Sequence, residues 1–93
     1  MAKNDTHVSY CQTVGKDFQS RTHEFGLTVT SAGPKIDLDK VKRGQETCEA
    51  VVRNALGVKI GRRRHELDAL AQEFFGATWE EVASGVTRGE EVL

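Results

Sequence analysis

The sequence predicts an α+β fold: an antiparallel β-hairpin or three-stranded sheet packed by one long helix, followed by a second helix and a short capped helix. Three observations carry the prediction. Apolar residues alternate in two stretches near the start of the chain, which is strand periodicity. They recur every three or four residues in two later stretches, which is helical periodicity. Glycine, proline and capping residues fall between those stretches. With 93 residues, 38% hydrophobic and 29% charged, the chain has the composition of one globular domain over residues 1–93 rather than of a disordered segment.

Residues 1–6 carry no pattern and are expected to fray. From His7 to Val14, the residues Val8, Tyr10 and Val14 share one parity, and from Phe25 to Val29 so do Phe25, Leu27 and Val29, so both runs read as half-buried strands. Gly15 to Arg21 is polar apart from Phe18, which makes an antiparallel hairpin with a longish loop the economical arrangement, with Phe18 extending either strand. Thr30 to Lys35 ends the second strand, because Gly33 and Pro34 break a ladder.

Asp37 is an N-cap for a first helix from Leu38 to about Leu56, and Asp39 suits its first turn. Val41, Cys48, Val52 and Ala55, widened by Val51 and Leu56, form the stripe that covers the sheet, and Gly57 stands where a left-handed terminator belongs. Val58 and Ile60, flanked by Gly57 and Gly61, either add a short third strand or plug the core from a loop; the pattern leans to the strand. Leu67, Leu70, Ala71, Phe74 and Phe75 then fit a second helix from Arg62 or Arg63 to Phe75, ended by Gly76. Thr78 and Glu81 form a capping box for a last helix through about Ala83, and residues 86–93 read as a loose tail.

Charge is distributed unevenly along the chain. From Lys40 to Arg64 eight cations oppose Glu46 and Glu49, a net of +6; from His65 onward Arg88 opposes seven carboxylates, a net of −6. Such asymmetry points to a charged partner or to two halves that fold onto each other. Arg62, Arg63 and Arg64 would sit in the first turn of the second helix, against the positive end of its dipole, where a bound anion would offset the cost. Lys40, Arg43 and Lys59 could extend this basic patch. The competing expectation is internal: Arg62 with Glu66 and Arg64 with Asp68 at i, i+4, Lys42 with Glu46 and Glu49 with Arg53 on the first helix, and the acidic last third folded over the patch.

Catalytic and metal motifs are missing from the sequence. His7 and Cys11 are too far apart on a strand to share a metal, and His65-Glu66 lacks the second histidine of a zinc protease helix, its place taken by Ala69. There is no Walker loop, nucleophile elbow or dinucleotide fingerprint. The expectation is a protein that is not an enzyme and needs no cofactor or metal. Leu70 to Val82 is similar to a helix-turn-helix, yet its second helix would open with Trp79-Glu80-Glu81 and repel phosphate. No run is apolar enough to span a membrane, the first residues lack the apolar stretch of a secretory signal, and Cys11 and Cys48 are too few for a disulfide framework, so a cytoplasmic protein with free thiols is expected.

The His7–Val29 hairpin, the Asp37-capped helix and the compact length resemble small accessory proteins of phages and prophages, a group that includes anti-CRISPR proteins. The resemblance implies a stoichiometric binder in a bacterial cytoplasm that inhibits a host machinery. Independently of the resemblance, the charge pattern makes the basic patch of Lys40, Arg43, Lys59, Arg62, Arg63 and Arg64 the expected docking surface for nucleic acid or a nucleoprotein complex. The rival expectation is a protein-interaction module or homodimer that uses an exposed strand edge or a surface made by Phe74, Phe75 and Trp79.

Overall fold

A computed structural model of the chain describes residues 3–15, 20–33 and 35–87. Strand β1 (Lys3–Val14) and strand β2 (Arg21–Ala32) pair antiparallel along their whole length, from Lys3 opposite Ala32 to Val14 opposite Arg21. Helix α1 (Leu38–Leu56) lies across one face of this hairpin, and α2 (Arg64–Phe75) and α3 (Trp79–Thr87) pack on α1 and on each other. The architecture is the expected α+β hairpin packed by helices.

The alternation seen in the sequence sets the covered face. Val8 opposite Leu27, Tyr10 opposite Phe25 and Thr6 opposite Val29 point toward α1, while Asp5, His7, Ser9, Cys11, Thr13, Thr22, Glu24, Thr28 and Thr30 are exposed on the other face. Both strands are longer than expected. Residues 3–6 do not fray but belong to β1. Asn4 Nδ2 donates to the Gly33 carbonyl at 3.0 Å and Thr30 Oγ1 donates to Asp5 Oδ1 at 2.9 Å, so polar cross-links hold a segment with no apolar pattern.

Helix α1 is the central element because it is buried on two sides. Cys48 meets Val8 and Val29 of the sheet, while Ala50 and Val51 join Leu67, Ala71, Trp79 and Val82 of the other helices. Each fully buried valine here, Val29, Val51 and Val52, contributes about 1.5–3 kcal/mol through loss of apolar surface to water. Gly44 sets how closely α1 approaches the sheet: a Cβ on it would stand 2.6 Å from Val29 Cγ2.

The expected punctuation holds at both capped helix starts. Asp37 Oδ1 accepts from the Lys40 amide at 3.1 Å, and Thr78 Oγ1 accepts from the Glu81 amide at 3.2 Å while Glu81 Oε1 accepts from the Thr78 amide at 3.0 Å. Gly57 (φ 74°) and Gly76 (φ 66°) end α1 and α2 in the left-handed region. Three readings change. Val58–Ile60 is not a third strand: among the described residues the sheet has two strands, and Ile60 packs from the connector against the cluster of Val51 and Leu67. Helix α2 starts at Arg64, and α3 continues past Ala83 to Thr87. Phe18, Pro34 and the tail residues 88–93 lie outside the described residues.

Candidate functional site

The six cations expected to form a basic patch divide into two sets. Arg43 makes a two-pronged pair with Glu73, Nε to Oε1 at 2.8 Å and Nη2 to Oε2 at 2.9 Å, and the hydrogen bond to this carboxylate holds the guanidinium pKa above its ordinary value. Arg62 reaches Glu46 at 3.5 Å instead of Glu66. Arg64 meets Asp68 at 3.6 Å and Glu80 at 3.3 Å. The Lys40 ammonium donates to the Thr30 carbonyl at 2.8 Å. Lys59 and Arg63 are exposed, and among the described residues their side chains make no hydrogen bond or ion pair.

The helix-dipole cost that pointed to an external anion is largely met from within. Glu66 Oε1 accepts from the Arg63 amide at 3.2 Å and places a carboxylate in the first turn of α2, where the dipole favours it. Asp68, Glu73 and Glu80, from the acidic third, fold back onto Arg64 and Arg43, while Glu46 of α1 takes Arg62. On α1, Arg53 pairs with Glu49 at 2.9 Å, as the spacing predicts. The sign change along the sequence therefore becomes an interleaved surface. What remains of the patch is an open groove of about 690 Å³ at the connector, lined by Val58, Lys59, Ile60, Arg62, Arg63 and Leu67 among others.

The aromatic surface offered as the rival site does not form. Trp79 is buried in the core at 6% exposure, and its amide donates to Asp68 Oδ1 at 3.0 Å. Phe74 is half-buried against the sheet cluster. Only Phe75 is exposed, at 37%, with its ring 6.0 Å from that of Phe25. The sequence groups Trp79 with Phe74 and Phe75 on one surface; in the structure α3 turns it inward, into the cluster of Ala50, Val51 and Leu67.

The exposed strand edge is the other rival site, and here the geometry is specific. In an antiparallel ladder, opposed residues alternate between pairs that bond each other and pairs whose backbone groups point outward. The Ser9 carbonyl accepts from Gln45 Nε2 at 2.7 Å and the Thr30 carbonyl accepts from Lys40, which assigns Ser9 and Thr30 to the outward set. On β2 that set is Thr22, Glu24, Gly26, Thr28 and Thr30; on β1 it is Asp5, His7, Ser9, Cys11 and Thr13. Gln45 thus guards the middle of the β1 edge, whereas Lys40 guards β2 only near one end. Between Glu24 and Thr28 the β2 edge has no backbone partner among the described residues. Beside it on the inner side lie half-buried Phe25 and Leu27 with Phe75. On the outer side His7 covers Gly26, where a Cβ would meet the imidazole at 3.0 Å.

Neither the Gln45 bond to the β1 edge nor the close approach of His7 to Gly26 is visible from spacing. Gly26 inside a strand pattern carries the one available signal, since glycine there often marks a close approach. The thiols lie on opposite sides of the sheet, Cys11 exposed and Cys48 buried; burial pushes the Cys48 thiol up to about 11. Among the described residues no group of three metal-ligating side chains converges, and no helix is long and apolar enough to cross a membrane. No family model, curated protein or solved structure matches the chain.

Proposed function

We propose that this chain is a non-enzymatic binding protein that docks a protein partner by strand addition to the outer edge of β2. The observation that carries the reading is the run from Glu24 to Thr28, which has no backbone partner on its outer side among the described residues and whose outward amides and carbonyls form a template for another strand. Strand addition draws affinity from main-chain hydrogen bonds and specificity from alternate side chains, and here Phe25, Leu27 and Phe75 offer apolar contacts on one side of the added strand. Two free thiols, one exposed and one buried, suit a reducing cytoplasm, which is the compartment the reading assumes.

A second reading keeps a nucleic acid or nucleoprotein partner. It is favoured by Lys59 and Arg63, the two cations of the patch without a partner among the described residues, which both line the connector groove. It is weakened by the internal pairing of Arg43, Arg62 and Arg64.

Affinity capture from a bacterial lysate separates the two. The baits are the wild type, Thr28→Pro, which removes one outward amide of β2, and the double variant Lys59→Ala, Arg63→Ala, each with and without nuclease. Strand addition predicts a partner that survives nuclease and the double variant and is lost with Thr28→Pro. A partner lost with nuclease and with the double variant, and retained by Thr28→Pro, would establish the second reading instead.

A further inference from the structure

We infer that the strand added to β2 is β2 of a second copy of this chain, antiparallel about a two-fold axis at Gly26. The inference rests on the strand-addition reading and names its occupant. The asymmetry between the two edges points to it. An isologous β2-to-β2 contact consumes both unguarded edges and leaves both Gln45-guarded β1 edges outside, so the assembly closes as a four-stranded sheet and does not propagate into a fibre. A two-stranded sheet is also the least self-sufficient sheet there is, and doubling it supplies the missing neighbours.

The register follows from the side chains. With the axis at Gly26, Glu24 stands opposite Thr28 of the second copy, and Phe25 stands opposite Leu27 of the second copy on the inner face. Each pair occurs twice by symmetry. Centring two residues earlier, at Glu24, would place like charges directly opposite each other, which is unfavourable. Thr22 would face Thr30 of the second copy, whose carbonyl already accepts from Lys40, so the bonded ladder ends there and runs from Glu24 to Thr28. Gly26 brings no side chain to the axis on the outer face, where His7 of each copy already lies over it. On the inner face Phe75, in contact with Phe25, adds apolar surface from each copy next to the Phe25 and Leu27 pairs.

The test is sedimentation equilibrium of the full chain at low salt over a concentration series, with Thr28→Glu and Thr28→Lys. Thr28 is exposed on the uncovered face, so neither change disturbs the core. Thr28→Glu sets a carboxylate opposite Glu24 of the second copy at two equivalent places and should raise the dimer Kd by on the order of tenfold; Thr28→Lys should lower it by a comparable factor. Thr13→Glu, on the guarded strand and outside the Glu24–Thr28 ladder, should leave it unchanged. A chain that stays monomeric throughout, or a dimer whose Kd ignores both Thr28 variants, overturns the inference. Loss of a different captured protein by Thr28→Pro would in that event keep the strand-addition reading while refusing the second copy as its occupant.

Discussion

Gly44→Ala is a substitution for which sequence and structure predict opposite signs. In the interior of an exposed helix, alanine in place of glycine stabilises by about 1 kcal/mol, because glycine loses more backbone freedom on folding. In this fold the new methyl would stand 2.6 Å from Val29 Cγ2, 3.4 Å from Val8 Cγ2 and 3.5 Å from Leu27 Cδ1. Val29 is 1% exposed and cannot swing out into solvent, so either its rotamer or the distance between α1 and the sheet must give. Overpacking of this kind costs about 1–3 kcal/mol. After subtraction of the helix gain, a net loss of about 1 kcal/mol remains, which lowers the melting temperature by roughly 4–8 °C for a domain of this size. Urea unfolding followed by circular dichroism measures it. Val29→Ala in the same background should relieve the contact, so that the double variant is more stable than the sum of the single losses predicts. A higher urea midpoint for Gly44→Ala alone would refute the close seating of α1 on the hairpin.

Other substitutions and conditions test the remaining contacts. Cys11 should react with a thiol reagent in the folded protein at pH 8 while Cys48 reacts only on unfolding; equal rates for both would contradict the burial of Cys48. Because the folded Cys48 thiol is raised from 9.0 to about 11, its neutral form stabilises the fold below pH 9, and of order 2 kcal/mol should be lost between those two values, measured against Cys48→Ala as control. Trp79→Ala should cost about 3–5 kcal/mol by emptying the space among Ala50, Val51 and Leu67, whereas a Trp79 that merely lay on the surface would tolerate the change within about 0.5 kcal/mol. Thr78→Ala should cost about 1 kcal/mol through loss of the α3 cap. The amide and hydroxyl of Thr78 hold the Glu81 carboxyl below its usual range, so the part of the cap made by Glu81 should persist above that range and fade only as pH falls through it; a cap contribution that disappears on raising pH would contradict this.

Local features were legible in the sequence where one residue type has one job. Asp37, Gly57, Gly76 and the Thr78–Glu81 box mark helix ends through their own backbone bonds, so no distant residue is needed to recognise them. The parity of Val8, Tyr10, Phe25, Leu27 and Val29 likewise fixes the face that α1 covers. What escaped depends on partners far along the chain. Lys3–Thr6 joins β1 because Asn4 and Asp5 find Gly33 and Thr30, and nothing in four polar residues announces that. Arg62 chooses Glu46 over the nearer Glu66, and Arg43 finds Glu73 thirty positions away; an i, i+4 rule sees neither. For the candidate site the loss is greater. The charge pattern located the cations and the Arg64–Asp68 pair but not the carboxylates that take Arg43 and Arg62, and the open edge of β2 emerges only once the register is known and Gln45 is seen to close the opposite edge.

Residue-resolved amide hydrogen exchange on the dilute protein tests the open edge most directly. Alternation along β2 is expected: rapid exchange at Glu24, Gly26 and Thr28, whose amides point outward, and slow exchange at Phe25, Leu27 and Val29, whose amides pair with β1. Uniform protection of all six amides at a dilution where sedimentation shows only monomer, or protection with the opposite parity, would mean that β2 is already paired on its outer side within one chain and that no strand can be added there.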